Sequence, residues 1–403
     1  MEQPLTPVSA LLLVMLVIFT VPYLVWRLAR TDYFAPLVIV QIVVGILLGP
    51  TVVGSLLPEM YGALFTGPVV QSLSGVASWA VAVFVWLAGI ELDVRQAWAH
   101  RRECLVTAGL ALAVPLLLGM LVAWALAVDG RWIGAAASDW QFVTGVGMAC
   151  AVTALPVLIL MLEKLSIFRA PLGQRLMRYA SLDDVAIWIV LALILVDLQR
   201  IGLQCLFVVA FGLGSLAFRR LMPRLGAADR WHVAIVWLLL CACAAEWLGL
   251  HFMIGAFLAG AVTDAEWFDE RRTTEMRHGV LLLLMPVYFL VTGLRTDWGI
   301  GSASVFLVAG ALLAVAVFGK LLGVWLAGRI LKWPAGEASL IGWILQTKGL
   351  ILIVFASVLL DERIVSRETF TALLLMGLAS TILTIPMSAP KLRRDPVAEN
   401  GCP

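Results

Sequence analysis

Apolar residues run along this chain in stretches longer than a soluble core helix needs, separated by short polar clusters that hold nearly all the charge. Thirteen such stretches begin near Ser9, Ala35, Pro68, Glu103, Trp140, Arg175, Ile201, Trp231, His251, His278, Ser302, Glu337 and Arg367. A helix crossing the hydrocarbon of a bilayer takes about 20 apolar residues, and only helices or closed barrels satisfy their own backbone there. The pattern predicts an all-α membrane protein of about 13 transmembrane helices, each short loop turning the next helix antiparallel to the last. The first stretch, from about Ser9 to Trp26, is too long and too poorly flanked for a cleaved signal peptide and reads as the first span.

Composition agrees and narrows the function. Of 403 residues, 62% are hydrophobic and 13% charged, about half the charge of a soluble domain. Large soluble catalytic or nucleotide-binding domains are excluded, and a net charge of +2 gives no basis for a nucleic-acid partner. The six cysteines (Cys104, Cys150, Cys205, Cys241, Cys243, Cys402) form no CxxC, and the four histidines are scattered, so neither a disulfide framework nor a zinc site is expected. With the N-terminus outside, 21 of the 28 Lys and Arg fall in loops on the inner side and five in loops on the outer side. That asymmetry fits the positive-inside rule and puts the C-terminus in the cytoplasm. Beyond about Pro390 the chain offers a short tail, residues 391–403.

The two basic residues left over, Lys320 and Lys348, lie inside apolar stretches, where ionisable groups are costly and usually functional. Lys320 stands in Gly319-Lys-Leu-Leu-Gly323, whose two glycines would let another helix come close beside it. It needs a buried carboxylate, and the pair Asp183–Asp184 in the sixth stretch is the unclaimed candidate. Helical neighbours are about 100° apart, so one aspartate can meet a cation while the other faces a cavity. Most other acids, Glu91, Asp93, Asp129, Asp139, Asp197, Asp264 and those of residues 266–275, sit at helix ends or in loops and read as solvated or capping groups. Lys348, in Gln346-Thr-Lys-Gly349, suggests a helix broken at membrane depth, and Thr153-Ala-Leu-Pro156 interrupts the fifth stretch in the same way. Thirteen spans divide as six, one linker and six: residues 1–200, a linker helix at 201–225, and 226–390. The odd linker makes the halves inverted repeats, and breaks at matching positions of such repeats point to a transporter's midplane binding site.

The chain resembles the monovalent cation:proton antiporter family, whose transmembrane sodium/hydrogen exchanger domain it would fill over residues 1–390, in the branch with bacterial potassium-efflux and sodium/proton antiporters. The resemblance rests on Leu48-Gly-Pro50, Leu87-Ala-Gly-Ile-Glu-Leu-Asp93, Thr153-Ala-Leu-Pro-Val157, Ser181-Leu-Asp-Asp184, Pro286-Val-Tyr-Phe289 with Gly293-Leu-Arg-Thr-Asp297, Gly319-Lys-Leu-Leu-Gly323 and Thr347-Lys-Gly349. It implies a core of six helices with two crossed, interrupted helices, a homodimer, and residence in a bacterial inner membrane. It also implies that Asp184 carries the cation and protons, that Asp183 pairs with Lys320, and that Thr153 helps to coordinate the ion. Two departures stand out. Relatives commonly have Arg where this chain has Lys348, and the nucleotide-binding domain of potassium-efflux members is not expected here.

The expected activity is exchange of a monovalent cation (Na⁺, K⁺ or Li⁺) for protons, both competing for the same carboxylates, with no cofactor and no enzymatic chemistry. Gly319-Lys320 is followed by Leu, so no P-loop is present to couple transport to nucleotide. The alternative is a channel or uniporter on the same scaffold. An intramembrane aspartyl protease would need carboxylates converging from different helices, and an organic-anion carrier would not bury an aspartate pair.

Overall fold

The computed structural model describes residues 6–29, 37–50, 52–92, 101–168, 170–196, 200–296 and 303–392. In chain order its helices are α1 (Pro7–Leu28), α2 (Leu37–Leu47), α3 (Val53–Leu56), α4 (Pro58–Leu64), α5 (Gly67–Ile90), α6 (Arg101–Ala127), α7 (Asp139–Ala151), α8 (Leu155–Lys164) and α9 (Pro171–Ile194). They continue with α10 (Ile201–Leu221), α11 (Ala227–Trp247), α12 (Phe252–Val262), α13 (Glu270–Gly279), α14 (Met285–Leu294), α15 (Ala303–Leu331), α16 (Glu337–Ile344), α17 (Gly349–Asp361) and α18 (Arg367–Leu392). Among the described residues the only β pairing is an isolated antiparallel bridge between Ile133 and Val365. The sequence readings at Asp93, His100, Asp197, Asp297, Cys402 and the tail beyond Leu392 lie outside the described residues.

Each predicted apolar stretch coincides with a helix or a pair of helices, but the number of spans is smaller when judged by length and composition. Among the described residues nine helices are long and apolar enough to cross a membrane, with Asp139–Lys164 taken as one, or ten if α16 and α17, bent by 51°, form a single span. The remaining three of the thirteen stretches fall short for identifiable reasons. Helices α2 and α12 are apolar but have only 11 residues each. Helix α9 has the length but carries Arg175, Arg178, Asp183 and Asp184.

The helices form two compact units, each drawn from both halves of the chain. One gathers α1, α2 from Val40, α3 to α5 and α10 to α14. Within it Glu91, read from sequence as a solvated or capping acid, closes α5 and also pairs with Arg277 of α13 at 3.2 Å, with both side chains mostly buried. A π-helical turn, Val280–Leu284, leads into α14, where Pro286 supplies no N–H to the preceding turn.

The other unit gathers α6 to α9 and α15 to α18, and so contains both breaks, the aspartate pair and both buried lysines. Helices α15 and α6 meet through Gly319 and Gly323, as the spacing around Lys320 suggested. A Cβ on Gly323 would stand 2.2 Å from the carbonyl oxygen of Leu110, and one on Gly319 would stand 2.6 Å from Cα of Pro115. Backbone cannot yield as a side-chain tip can. Gly323→Ala should therefore lower stability by about 1–3 kcal/mol, the usual cost of overpacking, read as an earlier unfolding transition of the detergent-solubilised protein. A variant that melts with wild type would contradict this packing.

Candidate functional site

Helix α7 starts with a capping box in which Ser138 and Gln141 satisfy each other's end groups, and Gln141 Nε2 also donates to the carbonyl of Ile194 at the end of α9 (2.7 Å). It stops at Ala151 because Val152 turns extended (φ −58°, ψ 146°), and α8 restarts with Pro156 in its first turn, where the missing N–H costs nothing. Helix α16 stops at Ile344, and α17 restarts at Gly349, whose φ of +34° is a conformation side chains disfavour. Every residue from Val152 to Ala154 and from Leu345 to Gly349 is buried. Irregular backbone at membrane depth persists only under such cover and only with its polar groups satisfied.

Those groups are satisfied largely by each other. Ala154 N–H donates to the carbonyl of Thr347 (2.6 Å), and the Thr153 hydroxyl donates to that of Leu345 (3.0 Å), so the two breaks are hydrogen-bonded face to face. From α18, the Ser380 hydroxyl donates to the Gln346 carbonyl (2.9 Å), while Thr381 Oγ1 accepts from Gly349 N–H (3.2 Å).

The carbonyls at the end of α7 receive the two lysines. Lys320 Nζ donates to the Ala151 carbonyl (2.5 Å), to Thr153 Oγ1 (2.8 Å) and to Asp183 Oδ2 (3.1 Å). Lys348 Nζ donates to the carbonyls of Cys150 (2.6 Å) and Val152 (3.1 Å). A helix ends with unpaired carbonyls and a partial negative charge, so cations suit this position. Asp183 and Asp184 lie near the middle of α9 and are buried, Asp184 completely. Neither aspartate is therefore at an end of α9. Asp183 Oδ1 is buried and accepts no hydrogen bond among the described residues, so Lys320 engages only half of that carboxylate.

The structure thus brings Thr153, Asp183 and Lys320 into direct contact and ties Lys348 to the same helix end. Sequence reasoning missed a second polar cluster in this unit. Arg175 of α9 donates to Glu103 of α6 (2.7 Å) and Glu337 of α16 (2.5 Å), stacks on Trp333 (5.1 Å), and shares Glu103 with the Tyr179 hydroxyl. The spacing of Arg175 and Tyr179, four residues apart on one helix face, was the available signal; their partners come from distant segments.

Comparison with known proteins gives this arrangement its family. The transmembrane sodium/hydrogen exchanger family model matches residues 14–389. This chain belongs to that family. It is 29% identical over 378 residues to Cation/H(+) antiporter 20 of Arabidopsis thaliana, covering 87% of this chain and 45% of that one. It is 25% identical over 369 residues to the Na(+)/H(+) antiporter NhaS4 of Synechocystis, covering 87% and 90%. It is 26% identical over 399 residues to K(+)/H(+) antiporter 1 of Saccharomyces cerevisiae, covering 91% and 45%. The chain therefore spans about half the length of the plant and yeast relatives. Its fold is that of the sodium proton antiporter MjNhaP1 from Methanocaldococcus jannaschii, with a TM-score of 0.60 at 10% identity over 96% of this chain and 97% of that one. The protein is a multi-pass membrane protein of the exchanger family.

Proposed function

We propose that this exchanger-family protein is a secondary antiporter that moves a monovalent cation one way and protons the other, with Asp183 and Asp184 as the site both compete for and Thr153 contributing its oxygen. One observation carries the reading: an aspartate pair buried at mid-helix, half of one carboxylate held by a lysine that is itself anchored to the end of an interrupted helix. Cation binding favours ionised carboxylates, and protonation removes the charge that holds the cation. Lys320 balances one negative charge so that the empty site is not left with two, and the lysines together complement the end of α7. Exposure of this site to each side in turn couples the two fluxes without nucleotide.

The relatives support exchange and leave the ion open, since one is named for Na⁺ and another for K⁺. The reading includes inverted repeats at 1–200 and 226–390 about the helix at 201–225, a homodimer, an N-terminus outside and a C-terminus inside a bacterial inner membrane. The Arg and Lys asymmetry supports that orientation. Purified protein in vesicles loaded with a pH-sensitive dye should move protons when Na⁺, K⁺ or Li⁺ is added outside. Cation flux with no proton counterflow would favour the channel instead.

A further inference from the structure

The two buried lysines at the break meet different numbers of acceptors. Lys320 Nζ has three, one for each ammonium proton, and one of them is a carboxylate. Lys348 Nζ has two, both main-chain carbonyls. A neutral amine also carries two N–H donors, so Lys348 can give up a proton and keep both hydrogen bonds. Lys320 cannot do so without losing one. Both side chains are completely buried, so no water shell stabilises the ammonium form of Lys348. The groups around Lys348 are mixed in charge. Lys320 on α15 is a like charge, Asp183 on α9 is an opposite charge already engaged by Lys320, α7 contributes Cys150, and the Ser380 and Thr381 hydroxyls of α18 bond the backbone on either side of Lys348. Asp184 follows Asp183 on α9.

We propose that Lys348 is a second proton carrier of the exchange cycle, losing its proton when a cation occupies the aspartates and regaining one when the cation leaves. This deepens the antiport reading and rests on it. With both aspartates ionised and both lysines charged, the site is neutral. An entering monovalent cation adds one positive charge, and conversion of the Lys348 ammonium to an amine, with the proton passing to water on the open side, restores neutrality. On the opposite side the cation leaves, and Lys348 and Asp184 each take up one proton; back on the first side Asp184 releases its proton to water before the next cation enters. The cycle then exchanges two protons per cation and responds to membrane potential. An arginine at 348 would stay charged throughout.

The test is the coupling ratio, measured in proteoliposomes as the proton gradient that just cancels net flux at a set cation gradient. Wild type should balance at two protons per cation. Lys348→Arg, locked in the charged form, and Lys348→Gln, which offers two N–H donors and no charge, should each balance at one and lose their response to membrane potential. A ratio unchanged in either active variant would overturn the proposal, and a wild type with no cation-driven proton movement would overturn the antiport reading itself. If neither variant folds, wild type decides. The chain has five lysines, and with their Nζ atoms labelled with nitrogen-15, one resonance should pass from ammonium to amine when saturating Na⁺ or K⁺ is added at constant pH. Five ammonium resonances in the cation-loaded protein would contradict it.

Discussion

Lys320→Ala should destabilise the protein by about 3–5 kcal/mol, the cost of stripping one partner from a buried ion pair. The ammonium of Lys320 holds three acceptors at once. Its loss leaves the Asp183 carboxylate buried without its cation, the Ala151 carbonyl at the end of α7 without its donor, and the Thr153 oxygen with one partner fewer. Each of these is a desolvated polar group that water cannot reach. Much of the penalty should lie in the orphaned charge, so Asp183→Asn in the same chain should recover a large part of it. Thermal unfolding in detergent across the four combinations reads the coupling directly. Equal shifts for the single and the double variant would mean that the pair contributes little beyond packing.

Asp184→Asn should abolish cation-driven proton movement while leaving the fold intact. The side chains are nearly isosteric and the position is completely buried, so packing changes little. Transport is different. Asparagine neither releases a proton nor presents a net negative charge, and about 3 kcal/mol of lost cation stabilisation already lowers occupancy about 100-fold. Asp184→Glu retains the carboxyl and should keep measurable exchange with an altered apparent cation affinity. If Asp184→Asn transports like wild type while Asp183→Asn does not, the roles of the two aspartates are reversed.

That the chain is a helical, multi-pass membrane protein was legible because bilayer physics writes it plainly: apolar length marks a span. The two breaks were legible for a related reason, since Thr153 to Pro156 and Gln346 to Gly349 put polar residues and helix-breaking residues where lipid tolerates neither. The match between Lys320 and the aspartates followed from charge accounting, and Gly319 with Gly323 announced a close helix contact that α6 supplies. Short spans were harder to judge. Helices α2 and α12 have only 11 residues, and length alone does not tell an interrupted span from a buried core helix. What one sequence could not give was the partner of each carbonyl. That Lys348 would take Cys150 and Val152, or that Arg175 would join Glu103 to Glu337, depends on segments far apart in the chain brought together by packing.

If cation and proton occupy the same carboxylates, the pH dependence of transport kinetics must show it. Initial rates in proteoliposomes would be measured across cation concentration at a series of pH values, with no membrane potential. Competition at a shared site requires the apparent cation KM to rise as pH falls, approaching about tenfold per pH unit for each competing proton once the site is mostly protonated, while the maximal rate at saturating cation stays nearly constant. Separate sites would give the opposite result, with acid lowering the maximal rate and the apparent KM staying flat.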